Sequence, residues 1–152
     1  MTVTTNHIPT FEELLKSAHE VGQLAEKESA QAEINSTVSE NVINLLKESK
    51  ITRIMLPKEY NEPQVSLKEF SDIVRTVSSY NISAGWLTYL YPLHNILPAY
   101  LPKHTRDEIV NQGGLICDVF AAVGTAEKVE GGYNISGVWN FASGVLYSDW
   151  IG

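Results

Sequence analysis

The sequence predicts an α+β chain: helices over its first two thirds, extended structure after that. Three observations carry this. Helix start signals recur four times before residue 110. The apolar period changes from helical to extended after Gly113-Gly114. Gly131-Gly132 then separates two runs of mixed apolar and polar residues, a two-residue hairpin signal. The expected organisation is an N-terminal all-helical domain over 1–113 and the beginning of an antiparallel β domain over 114–152.

Each element has its own local reason. Thr10-Phe11-Glu12-Glu13 fits a capping box, and Leu14, Ala18, Val21 and Ala25 follow at helical spacing, so a helix is expected near 10–30. Thr37-Val38-Ser39-Glu40 offers a second box ahead of Val42, Ile43, Leu45 and Leu46, for a helix near 37–49. Ser66-Leu67-Lys68-Glu69 is a third, leading Phe70, Ile73, Val74 and Val77 into a helix near 66–80. The segment 83–100 is apolar nearly all round, the mark of a buried helix, with Pro92 expected to kink it. Thr105-Arg106-Asp107-Glu108 starts a helix near 105–112, stopped by Gly113-Gly114. Strands are expected over 115–123, 126–130 and 133–142, with another beginning at 146–151. The last would leave Tyr147, Trp150 and Ile151 on an open edge, an association hazard. Either the chain dimerises through that edge, or it is the front part of a longer protein; the second reading is the better one.

Composition narrows the function. The chain has 152 residues, 43% of them hydrophobic, enough for one core and at most two small subdomains. A net charge of −7 and a pI near 5.0 argue against general binding to nucleic acid or to an anionic membrane. The single cysteine, Cys117, cannot form an internal disulfide and fits a reducing, cytoplasmic compartment. Met1 to Thr10 has neither the basic nor the apolar part of a secretory leader, and the longest apolar run is too short and interrupted to cross a bilayer. His7, His19, His94 and His104 lie far apart with no metal-ligand spacing, and no glycine-rich phosphate loop occurs.

Residues 131–144, GGYNISGVWNFASG, ask for more than a core. A strand that only filled a core would not need Asn140, Ser143 and Gly144 so close to Trp139. This stretch, with ITRIMLPKEYNEP at 51–63 and YNISAGWLTYLYPLHN at 80–95, resembles the acyl-CoA dehydrogenase superfamily. Within it the two later stretches resemble most closely the flavin-dependent monooxygenase branch, to which 4-hydroxyphenylacetate hydroxylase and dibenzothiophene monooxygenase belong. The likeness runs from about Phe11 to Gly152. It departs at Asn61-Glu62-Pro63, where the family usually has a glycine pair, and at Val123-Gly124-Thr125, a short remnant of a loop that touches flavin. The family's C-terminal helical bundle is absent from the sequence.

The resemblance implies a flavin-dependent oxidoreductase, using FAD or reduced FMN and oxygen on a small aromatic or apolar substrate. It implies a separate flavin reductase as a partner, and a homo-oligomer. Trp139, Asn140, Phe141 and Ser143 would meet the cofactor, with Ser143 near the reactive edge of the ring. Trp86, Tyr89 and His94 would line the substrate pocket, and His94 and Ser143 would be the catalytic pair.

The residues alone keep plainer readings open. Trp139 reads as a core tryptophan and Ser143-Gly144 as a strand-end turn. His94 reads as a hydrogen-bonded core histidine, or as a candidate acid or base in an apolar helix. Asp118 is a pocket residue or an exposed strand position. Cys117 is a small buried hydrophobe, and His104 belongs to a solvated helix start. Two other functions stay open beside the monooxygenase: an acyl-CoA dehydrogenase whose base lies in a missing C-terminal part, and a truncated, inactive chain serving as an interaction module.

Overall fold

The computed structural model describes residues 7–152, so most of the segment read as lacking a leader lies outside the described residues. Helix α1 is Phe11–Lys27. The Thr10 hydroxyl accepts the Glu13 N–H while the Glu13 carboxylate accepts that of Thr10, the reciprocal cap read from the sequence. Its buried stripe is Leu14, Ala18, Val21 and Ala25. The helix expected to reach residue 30 ends at Lys27 with Glu28 as its cap, and a separate short helix α2, Ser29–Asn35, follows without burying a residue. Helix α3 is Glu40–Glu48. Its cap is Ser39, whose hydroxyl accepts the Val42 N–H; the Thr37 hydroxyl bonds the Val38 carbonyl instead.

Helix α4, Leu67–Tyr80, is capped by Ser66 and Glu69 as the sequence indicates. Helix α5, Ile82–His94, begins where the Asn81 side chain accepts the Ala84 N–H at 2.9 Å. The two helices meet closely at Gly85: a Cβ there would lie 2.0 Å from Ser78 Oγ. Pro92 stays inside α5 and buried. The helix ends at His94, short of the expected residue 100, because Asn95 turns to donate to the Thr52 carbonyl at 2.6 Å. A 3-10 turn, Leu97–Tyr100, follows. Helix α6 runs Lys103–Gln112; it starts directly after Pro102, so Thr105 lies within its first turn and forms no capping box. Gly113, at φ 73°, ends it.

The core lies among α1, α3, α4 and α5. Leu14, Val21, Leu46, Ile51, Ile54, Ile73, Val77 and Tyr91 are wholly buried. Burying each such aliphatic side chain contributes about 1.5–3 kcal/mol. Arg53 ties the loop after α3 to α6: Nε donates to Glu62 Oε1 at 2.6 Å and Nη2 to the Val110 carbonyl at 3.0 Å.

The extended part departs most from expectation. Strand β1 is only Ile116–Cys117, β2 is Thr125–Val129, β3 is Gly132–Ser136 and β4 is Trp150–Ile151. The expected strand over 115–123 stops at Cys117 because its partner β4 is two residues long. β2 and β3 form the antiparallel hairpin. β3 ends at Ser136, so Trp139, Asn140 and Phe141 lie beyond the strand they were expected to occupy. β1 and β4 pair in parallel as a two-stranded sheet, so Trp150 and Ile151 have ladder partners on one side while the other edge of β4 has no partner strand among the described residues. Tyr147 sits in a 3-10 turn, Val145–Tyr147. Helices followed by short strands make the chain α+β.

Candidate functional site

The site begins with how residues 142–147 are held. Gly144 has φ 85°, a left-handed conformation that L side chains adopt poorly. Its carbonyl accepts the Tyr91 hydroxyl of α5 at 2.9 Å. A Cβ at this position would lie 2.8 Å from the Tyr91 ring. Tyr147 anchors the other end, donating from its hydroxyl to the Val38 carbonyl at 2.8 Å. The Asp149 carboxylate accepts the Leu115 N–H at 2.8 Å. The segment is thus bound to α5, to the residue before the α3 cap and to the start of β1. Burial pushes the Tyr91 phenol well above its ordinary range, so it remains a donor.

Held this way, Ser143 faces a broad open cleft of about 1450 Å³. Its lining includes Ala142 to Tyr147, Trp86 and Tyr89 of α5, and the α2–α3 connection. Trp86 and Tyr89 stack, with centroids 5.7 Å apart and planes at 27°, and Tyr89 rests on Phe70 at 5.9 Å. Trp86 remains 53% exposed. The cleft therefore offers both a flat aromatic face and a hydroxyl that makes no hydrogen bond to another described side chain or backbone group.

The structure brings Trp86, Tyr89 and Ser143 together and leaves the other candidates apart. His94, the last residue of α5, is buried and outside the cleft wall. Its Nδ1 lies 3.1 Å from the Ile116 carbonyl and its Nε2 3.1 Å from Asp118 Oδ1. Trp139 packs back on the hairpin base: a Cβ on Gly124 or Gly137 would meet its indole at 2.3 or 2.6 Å. Asn140 is exposed, and Phe141, at φ 64°, is 96% exposed. None of these three lines the cleft.

Asp118 is the residue that sequence reasoning left aside. The only available signal was a carboxylate in an otherwise apolar run; its pairing with a histidine from another element is not local information. Among the described residues, no cluster of His, Cys, Asp or Glu could hold a metal ion. No described helix is long and apolar enough to cross a membrane.

A flavin fits this chain in part. Ser143 supplies a hydroxyl that bonds no other described residue, and the cleft has room for a flat ring system; Gly144 is turned to Tyr91 and serves to hold Ser143. Trp139, Asn140 and Phe141 reach no part of that cleft within the described residues.

No protein-family model matches the chain. It is 29% identical over 145 residues to a pigment production hydroxylase of Rhodococcus sp., covering 93% of this chain and 37% of that protein. It is 28% identical over 149 residues to the indole-3-acetate monooxygenase of Pseudomonas putida, covering 95% of this chain and 36% of that one. Among solved structures it superposes on XiaF from Streptomyces sp., in complex with FADH2 and glycerol, with a TM-score of 0.84 at 25% identity. That match covers 93% of this chain and 36% of XiaF. The homologues are oxygenase components of flavin-dependent monooxygenases, and the fold is that of the acyl-CoA dehydrogenase-like proteins. The chain spans little more than a third of the length of these relatives, 37% and 36% of the two named.

Proposed function

We propose that this chain is the N-terminal part of a flavin-dependent monooxygenase acting on a small aromatic substrate. The observation that carries the reading is the cleft, whose lining holds both Ser143 and the stacked Trp86 and Tyr89, on a fold shared with a structure that holds FADH2. The cofactor is FAD or reduced FMN, delivered by a separate flavin reductase. The working enzyme is a cytoplasmic homo-oligomer. The domain boundary falls at Gly113-Gly114, where α6 ends.

In this reading the bound flavin supplies the oxygen chemistry. Ser143 donates a hydrogen bond to its reactive edge, and the Tyr91–Gly144 and Tyr147–Val38 bonds hold that donor in place. Trp86 and Tyr89 orient a flat substrate and keep water from one face. The resemblance assigns His94 a proton on the substrate side, although His94 does not itself line the described cleft. Trp139, Asn140 and Phe141 meet the cofactor from the hairpin end, in company with surfaces outside this chain.

The test is stopped-flow absorbance in a full-length, flavin-loaded protein carrying this chain. Reduced enzyme is mixed with oxygen, with and without a phenolic substrate. Ser143→Ala removes one donor and should slow the oxygen reaction by roughly 3 kcal/mol, on the order of a hundredfold. His94→Ala should slow substrate consumption more than the oxygen reaction. Parent rates in both variants would contradict these roles and leave residues 131–144 as a packed segment only.

A further inference from the structure

Ile116 and Asp118 bracket Cys117 at the end of β1, and both reach His94 on α5. The Ile116 carbonyl can only accept, so the hydrogen on that side belongs to Nδ1. On the other side, Nε2 and Asp118 Oδ1 lie 3.1 Å apart, and a hydrogen bond there needs one proton between them. The His94 and Asp118 side chains are only 9% and 7% exposed. His94 ends α5, where the helix terminus favours positive charge. Asp118 Oδ2 is also enclosed and has no hydrogen-bond partner among the described residues.

A pair placed there only for packing would be a poor choice. Two ionisable groups leave water, and one carboxylate oxygen is left without a donor, so the pair is incompletely compensated. What the arrangement does accomplish is to fix the ring. Nδ1–H is committed to a backbone carbonyl, and Nε2 to a carboxylate on a different element. We propose that Asp118 is the positioning residue for His94, and that the two hold a single proton between Nε2 and Oδ1 as one unit.

The functional meaning of the pair rests on the reading of His94 as the substrate-side proton group. The existence of the pair does not. As a unit it takes up or releases one proton at Nε2, with Nδ1–H unchanged; no electron or other bond is involved. A proton leaving the pair leaves neutral imidazole beside the ionised carboxylate, and its return restores the starting state.

The experiment is ¹⁵N–¹H NMR of the ring nitrogens of His94 in the 152-residue chain labelled at histidine, with His94→Gln to assign the signals. The parent should show a protected Nδ1–H and an Nε2 hydrogen-bonded to Asp118. Asp118→Asn should preserve the Nδ1–H form, because the amide can donate to Nε2. Asp118→Ala should release the ring, speeding exchange of the Nδ1 proton at least tenfold or shifting it to the other tautomer. Circular dichroism checks that the variants fold, and Asp118→Asn alone decides if Asp118→Ala does not. A parent ring without hydrogen on Nδ1 overturns the proposal, as do ring signals unchanged in a folded Asp118→Ala or loss of the Nδ1–H form in a folded Asp118→Asn. No flavin is needed for this readout. A negative result sinks the pair and leaves the flavin reading standing; a His94→Ala variant that consumes substrate at the parent rate sinks the proton role of His94 and leaves the pair standing.

Discussion

Gly144 meets two separate constraints: a left-handed backbone at φ 85° and a ring of Tyr91 that leaves no room for a Cβ. Gly144→Ala should therefore cost on the order of 1–3 kcal/mol, read as a lower midpoint in thermal or urea unfolding. Tyr147→Phe removes only the bond to Val38 and should cost about 1 kcal/mol, loosening the segment that carries Ser143. Tyr91 adds a pH dependence. Its folded-state value is raised above the ordinary 10.0, first by burial, so its contribution is complete below pH 10 and is lost as pH rises through the folded value. The parent's melting temperature should drop above pH 10, and a fluorescence-monitored melt of Tyr91→Phe should show a shallower drop. At this scale the sequence pointed to Ser143, Trp86 and Tyr89, which do line one cleft. It could not show that Tyr91 rather than Trp139 braces that cleft, because a phenol's partner on a distant carbonyl leaves no mark in local spacing.

The helices were legible where their ends are written locally. The boxes at Thr10 and Ser66 formed as read, since hydroxyl and carboxylate sit within one turn of each other. At Thr37 and Thr105 the same pattern misplaced the start, because Ser39 and the Pro102–Lys103 step open those helices instead. Strands were less legible. β1 ends where β4 ends, and β4 pairs with it from the far side of the hairpin. Ser66→Ala should cost about 1 kcal/mol through the lost cap. The Glu69 carboxylate is held below its ordinary 4.5, chiefly by the Ser66 side chain and then by its backbone. That stabilisation is present above pH 4.5 and is lost as pH falls through the lower folded value. An acid titration followed by circular dichroism should show α4 less acid-sensitive in Glu69→Gln than in the parent.

As a whole, the molecule has a well-buried helical core and a bare β end. Every residue of β2 and β3 is exposed. Phe120, Ile135, Phe141 and Leu146 are 86%, 70%, 96% and 74% exposed. Apolar surface of this kind promotes association, so light scattering of the 152-residue chain should report dimers or larger species that grow with concentration. By the same reasoning the chain alone should bind FAD or reduced FMN weakly, because only part of the expected wall is present. The central claim is that this cleft serves an oxygenase. The most direct measurement supplies isotopically labelled dioxygen to a full-length, flavin-reduced protein carrying this chain, with a phenolic substrate, and weighs the product. The account predicts one labelled oxygen atom in the hydroxylated product, formed on the order of a hundredfold more slowly in Ser143→Ala. Substrate oxidised without label, or hydroxylation indifferent to Ser143, would contradict it.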